Sequence, residues 1–93
     1  MLYYRKFIRE NEIYLVIARK ELDESFISEL REIVESNKDA GKIYVITKKI
    51  SLNVANYLRG SGVIVIDDIP FYDEKRVIER FVKEYGLKEI NSL

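Results

Sequence analysis

Several residue types are missing from this sequence, and each absence removes a class of chemistry. There is no cysteine, no histidine and no tryptophan, and proline occurs once. Without cysteine the chain forms no disulfide and no zinc–thiolate site, and it offers no thiolate nucleophile. Without histidine it lacks the usual general base and the commonest nitrogen ligand for metals. Enzyme mechanisms that depend on either residue are therefore excluded.

An excess of charge of one sign is also lacking, because 16 Lys and Arg residues balance 16 Asp and Glu residues. Binding to nucleic acid or to a membrane surface would therefore have to be local. The longest apolar run, residues 13–18, is far shorter than the about 18 residues of a membrane helix, and the charged start does not resemble a signal peptide. We expect a cytoplasmic protein with no membrane contact.

What the chain does contain indicates one domain. Its 93 residues allow a single modest core, and no linker, repeat or low-complexity segment divides them. The composition, rich in Ile, Tyr, Lys and Glu and without glutamine, resembles that of proteins from hot environments. We predict a single α/β domain over residues 1–93.

The most informative stretch is a pair of branched apolar runs, residues 43–46 and 63–66, separated by a helical segment that Ser51 can cap. This pattern predicts a βαβ unit with parallel, buried strands. Ligands in open α/β sheets bind beyond the carboxyl ends of such strands. The unit therefore brings Lys48 and Lys49 close to Asp67 and Asp68.

The rest of the chain predicts a mixed sheet with helices packed on it. The predicted elements, in the order ββαβαβα, are strands 2–9 and 13–19, a helix capped by Asp23 or Ser25 and ending near Asn37, strand 43–46, a helix capped by Ser51, strand 63–66, and a helix from Asp73 to Gly86. The first two strands form a hairpin with a turn at residues 10–12. Its first strand carries charges on both faces and is expected at a sheet edge.

This order of elements resembles the core of the restriction-endonuclease-like, PD-(D/E)XK superfamily over about residues 2–68. In that family an apolar hairpin strand ends in a Glu-x-Lys signature, with an Asp upstream, and the carboxylates hold a divalent metal. The matching place here is Ala18-Arg19-Lys20. Lys20 fits the signature, but Ala18 offers no oxygen and residues 2–9 contain no Asp. The resemblance implies an inactive nuclease-like fold that also lacks the helix normally preceding the hairpin.

Two small-ligand sites are conceivable at the strand ends. Asp67 and Asp68 carry the oxygen ligands that Mg²⁺ prefers, with Asp73 or Glu74 completing the shell. Adjacent strand residues point to opposite faces, however, so a loop-capping role for Asp68 is the simpler interpretation.

Lys48 and Lys49, beside Ser51 at a helix N-terminus, form a candidate phosphate site because helix N-termini attract anions. The alternative is that Ser51 is an ordinary helix cap, since the loop has no glycine to allow close approach of a pyrophosphate.

A candidate nucleic-acid surface lies on the hairpin and its exit. Its cations are Arg5, Lys6, Arg9, Arg19 and Lys20, interleaved with Tyr3, Tyr4 and Phe7. Mixed cations and aromatics on a sheet can bind single strands by backbone contact and base stacking. Nearby Glu and Asp residues offset this charge, and a solvated, charged edge strand is the alternative interpretation.

The chain also has many aromatic residues for its size, seven Tyr and four Phe. Candidate interface residues are Tyr3, Tyr4, Phe71 and Tyr72. Aromatic side chains left at the surface are typical of protein interfaces, so we predict a homodimer. The alternative is that they cover the sheet beneath the helices.

Three functions follow from these patterns. The first is a non-enzymatic binding or assembly module, dimeric and nuclease-like in fold, that needs no cofactor. The second is a small nucleic-acid-binding protein. The third is a metal-dependent nuclease using Mg²⁺ with Asp67, Asp68, Lys20 and Glu21.

Overall fold

The N-terminal hairpin consists of β1 (Tyr3–Arg9) and β2 (Glu12–Ala18), which pair antiparallel along their whole length. The structure is a computed structural model that describes residues 1–90. Glu10 and Asn11 connect the strands, and both have positive φ, 52° and 67°. Positive φ at both positions is typical of the two-residue turns whose twist matches that of the paired strands. The predicted hairpin is confirmed.

The remaining elements alternate helix and strand. In chain order they are β3 (Glu21–Leu22), a 3₁₀ turn (Glu24–Phe26), α1 (Ile27–Ser36), β4 (Lys42–Ile46), β5 (Lys49–Ile50), α2 (Leu52–Gly60), β6 (Ile64–Ile66), α3 (Glu74–Tyr85) and β7 (Lys88–Glu89). The side chains of Ser51 and Asp73 cap α2 and α3, and Gly86 ends α3 in the left-handed region at φ 66°. Asp23 caps the 3₁₀ turn that leads into α1, and Asn37 ends α1.

Within residues 1–90 the main sheet has five strands in the order β6-β4-β2-β1-β7. The strands β2, β4 and β6 are parallel, and β1 is antiparallel to both of its neighbours. Beyond the ends of β2 and β4, the short strands β3 and β5 pair with each other in parallel. The predicted α/β fold with a mixed sheet is therefore confirmed. We did not predict β3, β5 or β7, because a two-residue strand has no periodicity to detect.

The core lies on both faces of the main sheet. Leu15 and Ile17 of β2 pack beneath α1 and α2, against Leu30 and Leu58 among others; we call this side the α1/α2 face. Successive strand residues point to opposite faces, so the alternate residues of β2, Tyr14, Val16 and Ala18, lie on the side of α3, which we call the α3 face. The middle of β2 is consequently covered from both sides.

Aromatic rings fill much of the space between the main sheet and α3. Tyr14 and Tyr44 stack with centroids 6.0 Å apart, and Tyr44 lies 4.8 Å from Phe81 and 5.7 Å from Tyr85. Offset and edge-on arrangements of this kind stabilise a core beyond the area that they bury. Burial raises the pKa of the Tyr44 phenol, because the charged form loses its hydration.

The position of β1 differs from the sequence-based expectation of an edge strand. In the structure β7 pairs with β1 at Phe7 and Ile8. The chain can place β7 beside β1 because α3 crosses the main sheet from its opposite edge. Gly86 then reverses the direction of the chain before β7 begins. Charge along a strand is thus a poor guide to its place in the sheet when a neighbouring strand is only two residues long.

The hairpin turn gives a test of this backbone geometry. Replacing Glu10-Asn11 with Asn-Gly should raise the free energy of unfolding by about 0.5 to 1 kcal/mol, because Asn and Gly adopt positive φ at lower cost. Urea unfolding followed by circular dichroism measures the change. As a control, Asn11→Val should shift the midpoint the other way, since a β-branched residue is strained at φ 67°. Equal midpoints for all three proteins would contradict the assigned turn.

Candidate functional site

The carboxyl ends of β2, β4 and β6 meet at one end of the main sheet, as expected for parallel strands. The Arg19 N–H donates to the Ile46 carbonyl at 3.1 Å, and the Asp68 N–H donates to the Lys48 carbonyl at 3.3 Å. Lys20, Lys48, Lys49, Asp67 and Asp68 therefore lie at the same end of the sheet. All five of these side chains are exposed.

A buried threonine organises this end of the sheet. Thr47 is fully buried, and its Oγ1 lies 3.1 Å from the Lys20 carbonyl oxygen and 3.2 Å from that of Lys49, so that its one hydroxyl hydrogen is shared between two acceptors. The Lys20 carbonyl also accepts the Lys48 and Lys49 N–H groups, each at 3.0 Å. These bonds hold the backbone of both lysine-bearing segments in place. The role of Thr47 was not predicted from the sequence. The pattern that could have indicated it is a hydroxyl residue directly after the apolar run 43–46.

The predicted phosphate site is built differently from an open helix N-terminus. The Ser51 hydroxyl accepts the Val54 N–H at 3.4 Å, and the Ser51 N–H donates to the Leu22 carbonyl at 3.0 Å. The Ser51 carbonyl also accepts the Ala55 N–H at 3.0 Å, so all three polar groups of Ser51 have partners within the chain. This geometry supports the helix-cap interpretation of Ser51.

The two carboxylates predicted to hold Mg²⁺ lie just beyond β6. Asp67 and Asp68 are exposed, and Asp68 takes the left-handed conformation at φ 57°, which turns the chain away from the sheet. Across residues 1–90 no group of three or more acidic side chains is arranged so that it could hold a metal ion. Asp73 caps α3 through its Oδ1, which accepts the Arg76 N–H at 2.8 Å.

A shallow depression of about 580 Å³ lies beside the exit of β2. It is lined by Arg19, Lys20, Glu21, Asp23, Phe26 and Glu74. The Arg19 guanidinium stacks over the Phe26 ring at 4.9 Å. Hydrogen bonds from the Ser25 hydroxyl and N–H lower the pKa of Asp23, so this carboxylate stays charged. The mixture of charges gives the depression no dominant sign.

The cations of β1 contact other parts of the chain. Arg5 forms an ion pair with Glu89 and lies over the Phe7 ring. The Lys6 ammonium lies 3.4 Å from the Asp39 carboxylate. Arg9 donates from Nη1 to the Tyr85 carbonyl at 2.9 Å. These three side chains therefore tie β1 to β7, to the loop after α1 and to the end of α3.

The five hairpin cations do not form one surface. Arg5 shares the α3 face with Phe7, whereas Lys6, one residue later, points to the α1/α2 face. Arg9 lies at the hairpin turn, and Arg19 follows the other end of β2. At about 3.3 Å per residue, these two positions are more than about 20 Å apart.

The four predicted interface aromatics have different environments. Phe71 is 8% exposed and packs in the core on the α3 face. Tyr3 is half-buried against the same core, whereas Tyr4 and Tyr72 are exposed. Aromatic content alone therefore did not distinguish a core residue from a surface residue.

The structure also has an apolar groove that sequence reasoning missed, between α3 and the edge of the main sheet. The groove has a volume of about 230 Å³ and is lined by Ile46, Ile66, Ile69, Pro70, Val77, Phe81 and Tyr85, with Arg80 and Glu84 at its rim. Strands lie about 4.8 Å apart and packed helices about 10 Å apart, so one helix covers about two strands. On the α3 face, β6 is consequently less covered than β2.

For this reason the predicted burial of residues 63–66 is wrong at Ile64, although Val63 is buried. Ile64 pairs with Tyr44, points to the α3 face and is 42% exposed. Val65, on the α1/α2 face, packs against the core there. The strand is at the edge of the main sheet and not in its interior.

Comparison of the chain with known protein families, with curated proteins and with solved structures found no match. No helix in the described part of the chain has the length and apolar character needed to cross a membrane.

The cap interpretation of Ser51 is testable. Ser51→Ala should lower the free energy of unfolding by about 1 kcal/mol, because the Val54 N–H loses its acceptor. Ser51→Asp should restore it, since a carboxylate also caps and complements the helix dipole. Chemical denaturation of the three proteins measures both changes. If the Ser51→Ala variant is as stable as the wild-type protein, the Ser51 hydroxyl does not stabilise α2.

Proposed function

We propose that this chain is a non-catalytic assembly module that functions as a homodimer. The observation that carries the proposal is the apolar surface around β6. Ile64 of β6 is 42% exposed on the α3 face, where the groove beside α3 also has apolar walls, and Leu52 at the start of α2, on the opposite face, is 73% exposed. Exposed apolar surface on both sides of one sheet edge is typical of protein interfaces.

The contacts of the charged residues support the same proposal. Arg5, Lys6 and Arg9 were the core of the predicted nucleic-acid surface, and each contacts another part of the chain. Glu89 and Asp39 neutralise Arg5 and Lys6, two of the cations that would contact phosphates, whereas Arg9 donates to an uncharged carbonyl and keeps its charge. The β1 surface therefore favours a structural role over nucleic-acid binding.

The resemblance to the PD-(D/E)XK nucleases fits a binding role if the site has lost its chemistry. Ala18 stands where that family places a metal-binding carboxylate, and its side chain is buried in the core on the α3 face. We therefore propose a nuclease-like core without nuclease activity.

Self-association is the direct test of the assembly module. Sedimentation equilibrium over about three decades of protein concentration should show a dimer of about 22 kDa, twice the 11.0 kDa chain. The dimer should persist at high salt, because salt screens charge pairs but does not weaken apolar burial. A monomer at every concentration would contradict the proposal.

Nucleic-acid binding is the second candidate, favoured by one observation. Lys20, Lys48 and Lys49 are exposed together at the carboxyl end of the main sheet. If this surface binds nucleic acid, the affinity should fall steeply with salt, because each phosphate contact releases counterions.

Fluorescence anisotropy with single-stranded and duplex DNA and RNA, at two salt concentrations with Mg²⁺ present, tests this candidate. Replacing Lys20, Lys48 and Lys49 with Glu should abolish any binding. The control replaces the exposed Lys38, Lys75 and Lys83 with Glu, which changes the net charge equally. An equal loss of nucleic-acid affinity in both variants would indicate a nonspecific charge effect. Cleavage of the probe that disappears in Asp67→Ala would instead favour the metal-dependent nuclease.

A further inference from the structure

The two edges of the main sheet differ in how they are protected. At one edge, residues 63–66 contain no charge and no proline, and no strand among the described residues lies outside β6. At the other edge, β7 consists of the exposed Lys88 and Glu89. Charged side chains on an edge strand discourage pairing with another chain, and uncharged apolar edges invite it. The β6 edge is therefore the one suited to pairing.

The flank of α2 extends this edge on the α1/α2 face. The Arg31 guanidinium lies 5.7 Å from the Tyr57 ring, and Asn53 Nδ2 donates to Glu24 Oε1 at 3.4 Å. These contacts place one side of α2 against α1 and the 3₁₀ turn.

Leu52 and Arg59 are seven positions apart, so they share one side of α2. At about 100° per residue this side lies away from Asn53 and Tyr57. It therefore faces the open edge of the main sheet, beside β6.

We propose that a second copy of this chain docks against β6, so that two main sheets join in one continuous sheet about a two-fold axis. This inference rests on the proposed function of a homodimeric assembly module and names the surface that forms the dimer. A two-fold axis makes the paired strands antiparallel. With the axis at Val65, Ile64 lies opposite the partner's Ile66, and Asp67 lies opposite the partner's Val63.

Charge complementarity favours this arrangement. Each β6 ends in Asp67 and Asp68, and each begins after the last turn of α2, which carries Arg59. Antiparallel pairing brings the acidic end of one strand to the basic end of the other. The same axis runs α2 antiparallel to its copy, so Leu52 packs against the aliphatic stem of the partner's Arg59. The strand, the helix and the charges thus all favour antiparallel pairing of the two β6 strands.

The experiment compares two strand isoleucines of similar exposure. Ile64 is 42% exposed on β6 and Ile8 is 36% exposed on β1, far from the proposed interface. In sedimentation equilibrium, Ile64→Lys should weaken the dimer about 30-fold or more, the range of an interface hot spot. Ile8→Lys should leave the dimer unchanged. Circular dichroism of each variant establishes that it is folded.

A cysteine cross-link provides a second, independent measurement. The chain has no cysteine of its own, so one introduced thiol reports only on its own position. Opposed residues of antiparallel strands have Cα atoms about 5.5 Å apart, which a disulfide can span. Mild oxidation should therefore link Val65→Cys into a covalent dimer on a non-reducing gel. Ile8→Cys should stay monomeric on that gel.

Charge reversal tests the register. Arg59→Asp and Asp67→Arg should each weaken the dimer, and the double variant should recover at least part of the loss, because the pair is restored with opposite signs. Two losses that simply add would overturn the antiparallel register.

The outcomes separate this inference from the proposed function. A dimer that survives Ile64→Lys, with no cross-link at Val65→Cys, overturns the β6 interface and leaves the assembly module intact. A monomeric wild-type chain overturns both. If Ile64→Lys does not fold, the Val65→Cys cross-link decides the question alone.

Discussion

Burial of β2 on both of its faces is the constraint on which the rest of the structure depends. Residues Leu15 to Ala18 have no exposed surface, and Tyr14 is nearly buried. A strand in this situation needs a hydrogen-bonded neighbour along each edge and a helix layer over each face. The strands β1 and β4 supply the neighbours, α1 and α2 cover one face, and α3 covers the other. How deeply each other element is buried depends on its distance from β2.

That distance explains where the molecule leaves apolar surface exposed. The helices pack best over the centre of the main sheet, so burial declines toward β6. Burial declines most on the α3 face of the main sheet. There, Ile64 and the groove beside Tyr85 remain accessible to a partner. The proposed dimer completes at this edge the strand pairing that the single chain leaves open. In this view, assembly uses the least covered part of the fold.

Polar residues at the ends of the strands have mainly structural roles in this architecture. The Thr47 hydroxyl joins the backbone after β2 to the backbone after β4, and Ser51 caps α2. Arg9 satisfies a carbonyl at the end of α3, one of the groups that a helix leaves without an internal partner. Arg5, Lys6 and Arg9 lie close together in the sequence, but each contacts a different part of the chain. The lysines at the carboxyl end of the sheet are the exception, because their side chains remain exposed.

The sequence by itself determined the type of each long element and most of its boundaries. Alternating and helical periodicities, the caps at Ser51 and Asp73 and the stop at Gly86 act over about four residues, so they can be recognised locally. Only the tertiary structure decided the place of β1 beside β7, the burial of Phe71 and the exposure of Ile64. It also decided the partners of Lys6 and Arg9, which lie 33 and 76 positions away. Such contacts depend on how distant segments pack, and no local pattern encodes that packing.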